Sequence, residues 1–196
     1  MRRLPAAVGA AAVLLAAAGC ATGHGAVDVD NGGSFRFVAG TPAGEVIAPG
    51  KRATAPAFSG TLLDGQPFSS TSLRGSVAVI NFWGSWCAPC RVETPEFSQV
   101  AASSAGRGVR FVGVDVKEDR QFAQAFVSSR QIAYPSLYDP RGEVALAFRD
   151  YPANAIPSTI VLDRSGRVAA VYTGPVDQHD LRTVLDRLMG EGGGDG

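Results

Sequence analysis

Val77-Ala78-Val79-Ile80-Asn81-Phe82, continuing through Trp83-Gly84-Ser85 into Trp86-Cys87-Ala88-Pro89-Cys90, decides how this chain folds. The first six residues are a near-continuous apolar run, the pattern of a strand buried on both faces. A helix is expected from about Ala88 to Ser103, so the two cysteines sit where a buried strand gives way to a helix. A helix start presents unpaired N–H groups and about half a positive charge. Both favour a thiolate at Cys87, and the thiolate is the attacking species in disulfide exchange. Cys90 follows three residues later on the same helical face and can close a ring with Cys87. Pro89 lacks an N–H, which costs nothing in a first turn.

Other readings of the pair are weaker. A purely structural disulfide gains little, because the loop it closes is so short. A zinc half-site needs a second Cys or His pair, and the only histidines, His24 and His179, stand apart from other ligands and read as solvated residues. A lone C-x-x-C can be coincidence, but strand, tryptophan, C-x-x-C and helix in that order point to redox chemistry.

Outward from this centre, Phe58 to Leu63 and the segment from Phe68 flank Asp64-Gly65, a hairpin signal. Val109 to Val116 reads as a second buried strand. Arg120 to Arg130 reads as a helix with Phe122 and Phe126 on one face. A short strand near Pro135 to Tyr138 and a short helix near Gly142 to Phe148 follow. Thr159 to Leu162 and Arg167 to Tyr172 form a second hairpin. The last helix starts near Asp177, carries Leu181, Val184, Leu185 and Leu188 at helical spacing, and is expected to end at Gly190. Strands alternating with helices predict an α/β fold, a mixed sheet with helices on both faces. Pro95 falls inside the first helix, where it should kink it.

The 196 residues carry 18 basic and 18 acidic side chains, so no basic field exists to hold a phosphate backbone, and nucleic acid is not an expected partner. Met1, Arg2 and Arg3 precede an apolar stretch from Leu4 to Ala18, which is shorter than the roughly 20 residues of a membrane span. Positive start, apolar middle and small residues make a secretory signal over residues 1–19. Ala17-Ala18-Gly19-Cys20 resembles a bacterial lipobox, with alanine where leucine is usual, and predicts lipidation of Cys20. Residues 20–53 read as a tether with an end-to-end distance of roughly 30 Å; within it, Phe35 to Val38 could instead add an edge strand. The tail from Glu191 to Gly196, four glycines and two acids, reads as disordered.

From about Ala55 to Leu188 the sequence resembles the TlpA/ResA-like branch of thioredoxin-fold oxidoreductases. The resemblance rests on Gly75, Asn81-Phe82-Trp83-Gly84-Ser85, Trp86-Cys87-Ala88-Pro89-Cys90-Arg91, Glu93, Pro95 and Ala155-Ile156-Pro157-Ser158-Thr159. It implies a thioredoxin-like three-layer sandwich over residues 54–190, with an N-terminal hairpin and an inserted helix-strand unit between Val116 and Ile156. It also implies a cis Pro157, with the Ile156 backbone offering edge-strand hydrogen bonds to a substrate beside Trp86 and Cys87. Asn81 replaces the buried aspartate of bare thioredoxin, and Glu93 becomes the candidate to take the proton from Cys90.

The mechanism so implied needs no cofactor and no metal. Cys87 attacks a protein disulfide, Cys90 resolves the mixed disulfide, and a membrane electron donor restores the dithiol. The resemblance favours the reductive direction outside the cytoplasm, with cytochrome c maturation or envelope redox homeostasis as settings. A peroxiredoxin would place one cysteine behind a Pro and a Thr, an arrangement absent around Cys87. A non-catalytic copper-binding lipoprotein would need a well-placed histidine and wider cysteine spacing.

Overall fold

The computed structural model describes residues 44–191; the signal segment, Cys20 and the Phe35 to Val38 cluster lie outside these. The chain runs through β1 (Glu45–Val46), β2 (Ser59–Thr61), β3 (Pro67–Ser69), β4 (Val77–Trp83), α1 (Cys90–Ser103), β5 (Val109–Val116) and α2 (Arg120–Arg130). It continues through β6 (Ser136–Asp139), α3 (Glu143–Ala147), β7 (Ser158–Leu162), β8 (Val168–Thr173) and α4 (Gln178–Glu191).

Six strands form one sheet in the order β1-β8-β7-β4-β5-β6, while β2 and β3 pair as a separate hairpin closed by Asp64 and Gly65. β4 pairs parallel with β5 and antiparallel with β7, so the sheet is mixed and β4 lies inside it, all seven residues buried. Side chains alternate across such a strand. Val77, Val79 and Trp83 enter a core with Phe97 and Val100 of α1, Phe126 of α2 and Leu181, Val184, Leu185 and Leu188 of α4. Ala78, Ile80 and Phe82 enter the opposite core with Val144 of α3, Phe148, Tyr151, Phe58 and Leu73. This is the thioredoxin-like three-layer arrangement that the sequence implies.

Several expectations need correction. Phe122 is 56% exposed whereas Phe126 is buried. The inner face of α2 is centred on Ala123, Phe126 and Val127, which leaves Phe122 at its edge, over solvent. Gly190 does not end α4, because Glu191 extends the helix and its carboxylate pairs with both terminal nitrogens of Arg52, at 2.6 and 3.0 Å. The chain is also folded before residue 54. Glu45 and Val46 pair with Val171 and Ala170, covering the edge of β8 that would otherwise stay open, and Arg52 is buried against Asp163.

Candidate active site

β4 ends at Trp83 and α1 begins at Cys90; Cys87 lies in the six residues between them and Cys90 is the first residue of the helix. Cys87 and Cys90 are joined by a disulfide, S–S 2.00 Å and Cα–Cα 5.3 Å. Cys90 has no exposed surface and Cys87 has 4%. The Cys90 backbone N–H donates to Cys87 Sγ at 3.2 Å, and the Arg91 N–H donates to the Cys87 carbonyl at 3.2 Å. One free donor of the helix start, the Cys90 N–H, is thus aimed at the Cys87 sulfur, which is how such a position stabilises a thiolate.

Trp86 stands 52% exposed next to the disulfide, its indole N–H donating to the Val116 carbonyl at 3.0 Å. Gly84 permits this, since a Cβ there would collide with the Trp86 indole nitrogen. The Ile156–Pro157 peptide is cis. Ile156 is half-buried against the core cluster that includes both cysteines, and the Pro157 carbonyl accepts from the Gly174 N–H at 2.9 Å.

Glu93 lies in the first turn of α1, on the side facing the sheet, and is almost completely buried. One carboxyl oxygen accepts from Asn81 Nδ2 at 2.9 Å and the other from the Val176 N–H at 2.8 Å. Asn81 Nδ2 also reaches Thr159 Oγ1 at 3.2 Å, so β4, β7, α1 and the loop before α4 meet at one polar centre. Burial pushes the Glu93 carboxyl up to about 7, against the opposing pull of the Val176 and Asn81 hydrogen bonds. A carboxyl so placed exchanges protons at neutral pH. His179 is exposed near the start of α4, and no group of three or more potential metal ligands occurs among the described residues.

A family model described as Redoxin matches residues 49–187. The chain belongs to the redoxin family. Over 135 residues, 69% of this chain and 76% of the relative, it is 29% identical to the thiol-disulfide oxidoreductase ResA of Geobacillus thermodenitrificans. Among solved structures it is similar to a DsbF homologue from Corynebacterium diphtheriae, with 34% identity, TM-score 0.72, 79% of this chain covered and 99% of that one. It is also similar to a secreted thiol-disulfide isomerase from Corynebacterium glutamicum, with 32% identity, TM-score 0.73, and coverage of 81% and 99%. This redoxin is a thiol-disulfide oxidoreductase of the thioredoxin fold.

Two parts of the redoxin site escape a reading of the sequence. Val176 contributes a backbone N–H, which no residue identity announces. Glu118, in the loop after β5, accepts from both the backbone N–H and the hydroxyl of Ser85. The only sequence signal for this second centre is Asp115, an acid between two valines near the end of β5. Ser85, Trp86, Lys117, Glu118, Asp119, Phe122 and Pro140 together line an open cavity beside the dithiol.

Proposed function

We propose that this redoxin exchanges dithiol for disulfide on protein substrates outside the cytoplasm, in the reductive direction, from a membrane anchor at Cys20. The Cys87 thiolate attacks one sulfur of a substrate disulfide and expels the other as a thiolate, leaving a mixed disulfide. Cys90 then gives its proton to Glu93 and attacks Cys87 Sγ. The second substrate sulfur leaves as a thiolate, and the Cys87–Cys90 disulfide remains. Two electrons have passed to the substrate, and a donor dithiol at the membrane returns them. Trp86, Ile156 and Pro157 hold the substrate chain beside Cys87, the backbone at Ile156 pairing with it as an added strand.

The observation that carries this reading is the Cys90 N–H aimed at Cys87 Sγ, with Cys90 itself wholly buried. One sulfur is equipped to attack and the other to resolve. The secreted relative in Corynebacterium glutamicum supports an extracytoplasmic setting, and the resemblance of the Cys20 region to a lipobox supports the anchor.

The test is covalent trapping with the full chain. Cys90→Ala is expected to accumulate mixed disulfides with envelope proteins, recoverable under non-reducing conditions and released by dithiothreitol. Cys87→Ala is expected to abolish both trapping and insulin reduction, and Cys20→Ser to leave insulin reduction intact while releasing the protein from membranes. Trapping that survives loss of Cys87 would sink the assignment and implicate Cys20.

A further inference from the structure

The loop carrying Trp86 and Cys87 is held from a neighbouring strand. Ser85 donates its backbone N–H to one Glu118 carboxylate oxygen at 2.5 Å and its hydroxyl to the other. Trp86 donates its indole N–H to the carbonyl of Val116, two residues before Glu118. Hydrogen bonds to a carboxylate are about twice as strong as neutral ones, and two on one carboxylate fix the Ser85 backbone as well as its side chain. Lys117, between the two acceptors, has φ 59°, a left-handed conformation uncommon for a residue with a Cβ. The chain turns sharply there, directly before Glu118.

Glu118 is supported in turn. Its backbone carbonyl accepts from the Tyr138 hydroxyl at 3.2 Å, and the Arg120 guanidinium lies 4.3 Å over the Tyr138 ring while donating to the Leu62 carbonyl at 2.7 Å. On β5, Asp115 is fully buried, and neither of its carboxyl oxygens accepts a hydrogen bond within the described residues. Burial, then Glu118 and more weakly Asp139, push its carboxyl up to about 9 against the opposing charge of Arg120. Asp115 is therefore a neutral acid at pH 7.

We infer that Glu118 is a positioning residue for disulfide exchange, clamping the loop from Ser85 to Cys87 and fixing a negative charge at its base. The inference rests on the reading of Cys87 as the attacking sulfur. The two effects separate by substitution. Position sets the rate, because small displacements of a reacting group cost large factors. Charge opposes the Cys87 thiolate and raises its pKa, since two negative charges disfavour each other.

The full chain is reduced, and Cys87 alkylation by iodoacetamide is followed against pH with site assignment by mass spectrometry. Insulin reduction is measured alongside, per folded molecule as judged by thermal melting. Glu118→Ala removes both hydrogen bonds and the charge. It is expected to slow insulin reduction about tenfold or more and to lower the Cys87 titration midpoint by about one unit. Glu118→Gln keeps an acceptor for the Ser85 N–H without the charge. It is expected to recover a rate within about threefold of wild type while its midpoint stays low. The inference is overturned if Glu118→Gln remains as slow as Glu118→Ala, if neither substitution moves the midpoint, or if Glu118→Ala matches wild type. Failure of the unaltered protein to reduce insulin would instead sink the exchange reading, and the alkylation midpoint would still report on the clamp.

Discussion

Glu93 is balanced between two protonation states near neutral pH, and that balance opposes stability while suiting the proton transfer proposed for it. Its carboxyl rises from 4.5 to about 7 because burial disfavours the charge. Between those values the folded chain keeps a proton that the unfolded chain has released, so stability falls as pH rises through that window. Glu93→Gln removes the titration. Glutamine can accept from the Val176 N–H, and its amide can donate to Asn81 Oδ1, which has no partner among the described residues, once the Asn81 amide turns over. The variant is expected to exceed wild type in stability by on the order of 2 kcal/mol above pH 7. It should gain nothing below pH 4.5, the ordinary value for this carboxyl. Its insulin reduction at pH 7 should fall about 100-fold, the contribution of a positioned base. Thermal melts from pH 4 to 8 check the first outcome; a gap that ignores pH would mean that Glu93 does not titrate in this range.

Elements inserted into the fold lean on aromatic contacts more than on their own hydrogen bonds. α3 has five residues, too few to persist alone. Phe148, at its end, places its ring 5.8 Å from Phe58, 5.9 Å from Phe82 and 6.4 Å from Tyr151. Phe148→Ala is expected to cost about 3–5 kcal/mol in urea unfolding. It packs on the sheet face opposite α1, so Cys87 alkylation in the folded variant should keep its pH midpoint. A shifted midpoint would show that the two faces are coupled. Elements like these were legible wherever the apolar pattern alone decides them, as in β4, β5 and the leucine stripe of α4. Phe122 was misread because four-residue spacing places two side chains near each other without saying which one lies over the sheet. The Ser85–Glu118 clamp spans 33 residues between loops, and nothing local in either segment encodes its partner. The dithiol, by contrast, was legible because its chemistry depends on a local junction of strand, turn and helix.

At the scale of the whole domain, one buried guanidinium joins three distant segments. Arg52 donates to the Ile47 carbonyl at 3.0 Å, to Asp163 at 3.3 Å and to both oxygens of Glu191. Its guanidinium holds the Glu191 carboxyl below the usual carboxylate range. That contribution is present above the ordinary glutamate value and lost as pH falls through the lowered one. Arg52→Ala is expected to destabilise the domain by about 2–3 kcal/mol at pH 7. Melts should converge with wild type in acid, and hydrogen exchange should quicken in the last turn of α4; an unchanged last turn would show that Glu191 is held by other contacts. The burial of Cys90 has a different kind of consequence, one of traffic. On the proposed mechanism, donor and acceptor proteins both use Cys87, the one cysteine of the pair with any exposed surface, and therefore cannot dock at the same time. A redoxin working this way would shuttle, discharging one partner before meeting the next, and the expected kinetics are ping-pong, an excess of either partner crowding out the other.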